Sequence, residues 1–274
     1  MREKTRLLSG AENFIKGLAI GAVMLVPGMS GGTMAIICGI YDKLLLAVAS
    51  VRKAPRKNLI FLGIVAAGGL IGMLLFSKLI LYAFQTYNLS LTFFFIGAIL
   101  GSVPMLWGRA NVKSFSYRII VFPLIGIALV VLMMILPENT FAISLINAVD
   151  YFLLFLIGIL LAVALVLPGI SFSYMLLIMG IYESALLAIQ QLQLDYLSIL
   201  GIGIIVGIVM ISKLFHVLLT HWPQQTYLLI IGFVIASLKE VVPNMPNAGD
   251  IITCILALLI GFFLIFFLSK KYSR

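Results

Sequence analysis

The segment VPGMSGGTMAIICGIYD, residues 26–42, interrupts an apolar run with proline, glycine, serine and threonine. At membrane depth a broken helix leaves backbone N–H and C=O groups without partners, so it persists only where protein or a watery cavity surrounds it. Pro27 ends the preceding helix, and Gly31 and Gly32 let the backbone turn tightly. We therefore predict a discontinuous helical element here, and we expect it to have a function beyond spanning the membrane.

The composition indicates a protein that crosses a membrane several times. Of its 274 residues, 63% are hydrophobic and 10% are charged, and apolar runs of about twenty residues have the length that spans a bilayer as a helix. The net charge of +9 comes from short basic clusters beside these runs, as the positive-inside rule expects. No nucleic-acid partner is predicted. Cys38 and Cys254 lie inside apolar stretches without metal-ligand spacing, so no metal site is expected.

An internal repeat runs through the sequence. Residues 26–47 align with LPGISFSYMLLIMGIYESALLA, residues 167–188, at a constant offset of 141. After a six-residue change in a loop the alignment continues, pairing Gly68, Gly72, Ser77 and Lys78 with Gly203, Gly207, Ser212 and Lys213. We therefore predict two repeats of one ancestral unit, residues 1–144 and residues 145–274, which together form one integral membrane domain.

Each repeat reads as a broken or re-entrant helical hairpin followed by three transmembrane helices, which gives an all-α polytopic membrane protein. We place the elements of the first repeat at residues 12–52, 58–84, 89–107 and 117–136, and those of the second at 147–191, 196–219, 226–242 and 250–269.

Charge sets the orientation of these elements. Basic residues flank the first broken element on both sides: Arg2, Lys4, Arg6 and Lys16 before it, and Arg52, Lys53, Arg56 and Lys57 after it. Both of its ends should therefore lie in the cytoplasm, whether it is re-entrant or crosses twice. The uncharged loop at 85–88 then lies outside and the basic loop at 108–118 inside. An odd number of crossings inverts the second repeat, so we predict inverted-topology repeats with both termini in the cytoplasm.

Inverted repeats with discontinuous helices are typical of secondary transporters, whose site lies between the repeats near the midplane. A serine or threonine after each break would cap a new half-helix, and its free N–H groups and positive dipole end favour an anion such as phosphate or carboxylate. We predict a binding site at Pro27, Gly28, Ser30, Gly31, Gly32, Thr33, Pro168, Gly169, Ser171 and Ser173. The alternative, in which these residues only kink the helices and allow close packing, stays open.

Three lysines are further site candidates. Lys78 and Lys213 occupy equivalent positions in apolar helices, and Lys239 lies near the outer end of its helix. A charge inside the membrane is costly and by default suggests function, although a long side chain also reaches the interface. We predict that these lysines supply positive charge to the anion, with the first two on opposite sides of the membrane.

Each Gly-Ile-Tyr triplet is followed by a carboxylate, Asp42 in the first repeat and Glu183 in the second. These residues could bind a coupling proton or sodium ion, or they could pair with nearby Lys43 or cap a helix end; we favour the structural role. Tyr41 and Tyr182 are interpreted as interfacial anchors. No cofactor is predicted beyond such a coupling ion.

The motifs resemble the bacterial polyprenyl-phosphate transporter family, in Pro-Gly-x-Ser-Gly-Gly-Thr with Gly-Ile-Tyr-Asp in the first repeat and Pro-Gly-Ile-Ser with Gly-Ile-Tyr-Glu in the second. The resemblance covers nearly the whole chain. It implies a protein of the bacterial cytoplasmic membrane that returns undecaprenyl phosphate, the lipid carrier of cell-wall precursors, from the outer to the inner leaflet. The family pattern has glycine where this sequence has Phe172, and arginine at the positions of Lys78 and Lys239.

The sequence raises two other functions. A secondary transporter of a small water-soluble anion predicts a closed polar path, whereas a lipid carrier predicts a side opening, and the sequence does not separate them. An intramembrane enzyme acting on lipid phosphate is disfavoured, since no His-Glu-x-x-His and no Ser/His/Asp set occurs at recognisable spacing. We therefore expect a transporter and not an enzyme. Its expected partner is a polyprenyl-phosphate lipid, and a homo-oligomer is compatible with the sequence.

Overall fold

A computed structural model describes residues 2–24, 30–135, 148–242 and 249–272. All regular structure in these ranges is helical, which confirms the predicted all-α class. In chain order the helices are α1 (Arg2–Val23), α2 (Gly31–Ile37), α3 (Tyr41–Ala49), α4 (Pro55–Ala110), α5 (Arg118–Ile135), α6 (Ala148–Val166), α7 (Phe172–Ile178), α8 (Tyr182–Gln190), α9 (Leu194–His221), α10 (Pro223–Val241) and α11 (Ile251–Tyr272). The first helix begins earlier than the predicted residue 12.

Several of these helices can cross a membrane. Six described segments are long and apolar enough: Pro55–Ile80, Tyr82–Ala110, Arg118–Ile135, Val149–Val166, Leu194–His221 and Ile251–Lys270. Their outer faces carry large apolar side chains, such as Leu74, which is 78% exposed, and Ile205, which is 64% exposed. Contiguous apolar surface of this kind is rare on soluble monomers and suits contact with lipid. The protein is a multi-pass membrane protein, as predicted.

Helix α4 folds back on itself in the middle. It has 56 residues, which at 1.5 Å per residue is about 84 Å and far exceeds a hydrocarbon core of about 30 Å. Tyr87 leaves the helical region, with φ −129° and ψ 35°. The rings of Phe84 and Phe95 stack with centroids 6.1 Å apart, although a straight helix would separate these residues by about 16 Å along its axis. The two predicted helices at 58–84 and 89–107 are thus the two arms of α4.

Glycines bring α1 against the first arm of α4. A Cβ atom placed on Gly17 would lie 3.1 Å from the Cα atom of Gly68, and one on Gly72 would lie 2.9 Å from the Cα atom of Leu18. No side chain fits at these contacts. Because the contact points advance along both helices together, α1 and this arm run parallel. The broken element therefore returns the chain to the side on which α1 began.

The second repeat contains the equivalent contact, between α6 and α9. A Cβ atom on Gly158 would lie 2.9 Å from the Cα atom of Gly203, and one on Gly207 would lie 2.8 Å from the Cα atom of Ile159. These helices also run parallel, so the second broken element returns the chain as well. The return of the first element agrees with the basic residues that flank it, which predicted that both of its ends lie on one side.

The last helix of each repeat packs against the other repeat. Helix α5 contacts α10, where a Cβ atom on Gly126 would lie 3.0 Å from the Cα atom of Gly232. Helix α11 contacts the second arm of α4, where a Cβ atom on Gly97 would lie 3.0 Å from the Cα atom of Leu258. Gly97 and Gly232 are equivalent in the repeat, so the two contacts correspond. The repeat boundary and the inversion of the second repeat stay predictions.

Candidate functional site

In each broken element, below called the first and the second break, a new helix begins after a serine, as the sequence predicted. Ser30 has an extended backbone, with φ −96° and ψ 149°, and its Oγ accepts a hydrogen bond of 3.2 Å from the N–H of Thr33. Ser171 caps α7 in the same way and accepts a bond of 3.4 Å from the N–H of Tyr174. Each serine thereby satisfies one of the N–H groups that a helix start leaves unpaired.

Each break contains a sharp turn between two short helices. Gly39, between α2 and α3, has φ 68°, and Gly180, between α7 and α8, has φ 70°. Positive φ values favour glycine. In the first repeat this turn bends the two helices by 115°. Pro27 and Gly28, which the sequence analysis placed in the site, lie outside the described residues, as does the side chain of Ser173.

The two breaks meet in the protein interior. The backbone N–H of Gly169 donates a hydrogen bond of 3.0 Å to the Oγ of Ser30, although the residues are far apart in sequence. The Oγ atoms of Ser30 and Thr33 lie 3.0 Å apart and share a hydrogen bond. A Cβ atom on Gly32 would lie 3.0 Å from the backbone nitrogen of Pro168. The structure thus brings together five of the predicted site residues, from both repeats.

Tyr41 adds a second link between the breaks. It is 2% exposed, and its hydroxyl donates a hydrogen bond of 3.1 Å to the carbonyl oxygen of Val166, at the end of α6. The expectation that Tyr41 anchors the protein at the membrane interface was therefore wrong. The last carbonyl groups of a helix lack intrahelical partners, and the N–H of Gly169 donates to Ser30, so a tyrosine from the other break supplies a donor.

Asp42 belongs to a polar cluster that joins α3, α4 and α10. Its carboxylate forms an ion pair of 2.8 Å with Nη1 of Arg109, and the hydroxyl of Tyr227 lies 3.1 Å from each carboxylate oxygen. The geometry matches the structural role that we favoured, with Arg109 as the partner instead of a neighbouring lysine. Glu183, its equivalent, is exposed and makes no ion pair or hydrogen bond with the described residues.

The structure does not bring the three candidate lysines to the breaks. Lys78, Lys213 and Lys239 are all exposed, and none of them lines the cavity at the first break. They stand on the outer surface of their helices, where a charge can reach the interface. The described residues also contain no group of three histidine, cysteine or carboxylate side chains that could hold a metal ion.

A cavity of about 280 Å³ lies beside the first break. Gly31, Gly32 and Tyr41 form one side of it, and Ser212 of α9 contributes a hydroxyl. The rest of the described wall is apolar, with Ile20, Met24, Ala35, Leu44, Leu45, Val48, Val65, Leu165, Val166 and Ile208. No role was predicted for Ser212, although a serine beside a lysine within an apolar helix was the available signal.

Comparison with known proteins places the chain in a family. The family model described as undecaprenyl phosphate translocase-like matches residues 20–255, which include both broken elements. The chain belongs to this family. The resemblance inferred from the motifs is thereby confirmed, and membership in a translocase-like family agrees with the expectation of a transporter and not an enzyme.

Two relatives of this translocase-like protein share most of its length. The polyprenyl-phosphate transporter of Staphylococcus aureus is 32% identical over 249 residues, covering 86% of this chain and 87% of the relative. The polyprenyl-phosphate transporter of Vibrio cholerae is 30% identical over 246 residues, covering 84% of this chain and 77% of the relative. No solved structure matches the chain.

Proposed function

We propose that this protein transports polyprenyl phosphate across the bacterial cytoplasmic membrane. The observation that carries the proposal is the family match, which spans both broken elements, and both relatives are named polyprenyl-phosphate transporters. The direction is from the outer to the inner leaflet, which recycles the undecaprenyl carrier of cell-wall precursors. Both termini lie in the cytoplasm, in keeping with the basic residues at each end of the chain.

The transport mechanism is alternating exposure of one headgroup site between two inverted repeats. Support comes from the contact between the breaks, where the N–H of Gly169 donates to the Oγ of Ser30. A site formed by discontinuous helices from two repeats is the usual arrangement in secondary transporters. The phosphate binds beside the contact between the breaks, where Gly31 and Gly32 line a cavity, and the prenyl chain stays in apolar surroundings.

The exposed lysines attract the anionic headgroup before and after transfer. Lys78 and Lys213 are equivalent in the repeat, so inversion puts them on opposite sides of the membrane, and Lys239 adds positive charge near the outer surface. The membrane potential acts on the charged headgroup. A coupling proton or sodium ion would bind at Glu183 or Asp42; Glu183 is the more accessible, since Asp42 is held by Arg109.

The wall of the cavity at the first break argues for a lipid and against a small water-soluble anion. Apart from Ser212 and Tyr41, its side chains are apolar. Ligand sites fix orientation with a few polar groups and bury the rest of the ligand against apolar side chains. A hydrated anion has no apolar part to bury, whereas a prenyl chain does.

The test is transfer between leaflets in liposomes. Purified full-length protein is reconstituted with undecaprenyl phosphate, and accessibility of the phosphate is followed in each leaflet with and without a membrane potential. We expect transfer by the wild type and its loss in the double variant Ser30→Ala, Ser171→Ala. The matched control is Ser77→Ala, Ser198→Ala, since each of these exposed serines only donates to a carbonyl of its own helix. Absence of transfer by folded wild-type protein with any coupling ion supplied would refute the proposal.

A further inference from the structure

Ser212 has unused hydrogen-bonding capacity inside the cavity at the first break. The residue is 2% exposed and lines this cavity. In the described ranges, the other buried serines and threonines all form hydrogen bonds: Ser30, Thr33, Thr92, Ser102, Thr226, Ser237 and Ser269. The hydroxyl of Ser212 forms none with the described residues. It is therefore a buried donor that faces open space.

Local structure does not account for this free hydroxyl. A serine inside a helix ordinarily bonds to a carbonyl three or four residues earlier. Ser77, the equivalent residue of the first repeat, does so and donates a bond of 3.0 Å to the carbonyl oxygen of Leu74. Leaving a buried polar group unpaired costs free energy, so the position of Ser212 is explained best by a ligand that supplies the missing partner.

The walls of the cavity define the chemistry of that ligand. A buried water needs two to four polar partners, whereas Ser212 faces mainly aliphatic side chains, and the hydroxyl of Tyr41 already donates to Val166. A ligand oxygen attached to an apolar chain satisfies both the hydroxyl and the walls. The phosphate end of a prenyl chain has this character.

We propose that Ser212 binds the phosphate end of the transported lipid in this cavity. The inference rests on the proposed function. The serine hydroxyl donates to a phosphate oxygen, and the first prenyl units pack between Ile20, Leu45 and Ile208. The volume of about 280 Å³ admits only that end of the lipid. The other charged oxygens of the phosphate remain toward the opening, because burying an ionised group without a partner is very costly.

The first experiment compares Ser212→Ala with Ser77→Ala in direct binding of undecaprenyl phosphate to the purified full-length protein. A hydrogen bond to a charged group is strong, so we expect Ser212→Ala to weaken binding about 10- to 100-fold. Ser77→Ala should bind as the wild type does. Undecaprenol, which lacks the phosphate, should bind equally to wild type and Ser212→Ala, and inorganic phosphate should not compete.

The second experiment fills the cavity. Ile208→Trp introduces a large side chain into its wall and should abolish binding of undecaprenyl phosphate. Ile205→Trp is the matched control on the same helix, since Ile205 is 64% exposed and faces outward. The thermal unfolding of each variant, followed in the same detergent, identifies any variant that fails to fold. If Ile208→Trp does not fold, the test rests on Ser212→Ala, which adds no bulk to the cavity.

The outcomes separate this inference from the proposed function. Wild-type transfer combined with unchanged binding by folded Ser212→Ala overturns the inference and leaves the proposed function standing. Equal competition by phosphatidylglycerol also overturns it, because the cavity would then be a general lipid site. If folded wild-type protein neither binds nor transfers undecaprenyl phosphate, both proposals fall.

Discussion

The first and second broken elements have matching helices but are held differently by the rest of the protein. Helices α2 and α7 have seven residues each, and α3 and α8 have nine. Ser30 is buried and accepts hydrogen bonds from two backbone N–H groups. Ser171 is half-buried and accepts one, at 3.4 Å. Local sequence therefore sets the helices, while contacts between the repeats decide how firmly each break is fixed.

The same contrast continues at the carboxylates. Asp42 forms an ion pair with Arg109 and a hydrogen bond with Tyr227. Its helix α3 packs on α9 of the other repeat. Glu183 is exposed, and α8 packs on α9 of its own repeat. The two carboxylates therefore differ as the two capping serines do, with the first held by contacts and the second exposed.

The largest expected effect lies at the glycine that joins the breaks. Gly169 has φ 81°, and a Cβ atom there would meet the backbone of Phe233 and Val234. We expect Gly169→Ala to lower the free energy of unfolding by about 2 kcal/mol or more, from left-handed strain and the backbone clash. Gly31→Ala should cost less, because its Cβ atom meets only side chains, of which the flexible Met24 is nearest. Thermal unfolding in detergent measures both, and similar losses would contradict the assigned contact.

The next largest effect on stability should be the difference between the two capping serines. Ser30→Ala removes a cap and the bond from Gly169, so we expect a loss of about 2 kcal/mol. Ser171→Ala removes one long cap bond and should cost about 0.5–1 kcal/mol. Chemical unfolding of the two single variants gives the comparison. If the two losses were equal, the breaks would be held alike and the asymmetry would have no energetic meaning.

The tyrosines of the two broken elements should show a smaller difference in stability. Tyr41→Phe removes the hydrogen bond to the carbonyl of Val166 and should lower stability by about 1 kcal/mol. Tyr182→Phe is the matched change in the second repeat, where the side chain is half-buried and we expect a smaller loss. Thermal unfolding compares them, and a larger loss for Tyr182→Phe would reverse the assignment of the tightly held break.

The carboxylates should affect stability less. The side chain of Asp42 is 53% exposed, so solvent screens its ion pair and Asp42→Asn should cost about 1 kcal/mol or less. Glu183→Gln should leave stability unchanged. Transfer in liposomes adds the functional comparison: a variant that transfers without any response to pH or sodium, unlike wild type, identifies the coupling residue. If both variants respond to pH and sodium as the wild type does, neither carboxylate is the coupling residue.

The lysines should change stability least of all. Lys78→Ala and Lys213→Ala remove exposed charges, so we expect unchanged unfolding and a several-fold lower affinity for undecaprenyl phosphate, since each charge acts at short range. Lys113→Ala, on an exposed loop, is the control. A fall in folded yield without a fall in affinity would remove both lysines from the binding site.

Much of the fold followed from local chemistry in the sequence. Apolar run length predicted the membrane helices, and proline followed by serine predicted the restarts at Ser30 and Ser171. The burial of Tyr41 could not be predicted this way, because a tyrosine near a helix end serves equally as an interfacial anchor. Nor could the pairing of Asp42 with Arg109, since charges far apart in sequence meet only through the packing of three helices.

The sequence by itself determined the helices, the repeat and the family, because these depend on residue order, hydropathy and motifs that each segment carries alone. Only the tertiary structure decided that Gly169 meets Ser30, that the candidate lysines stand outside the cavity at the first break, and that Ser212 faces this cavity while Ser77 does not. Ser77 and Ser212 lie at equivalent positions of the repeat and are both followed by Lys-Leu, which does not reveal that their surroundings differ. Their difference arises from which helices pack around them, and that packing joins segments from both halves of the chain.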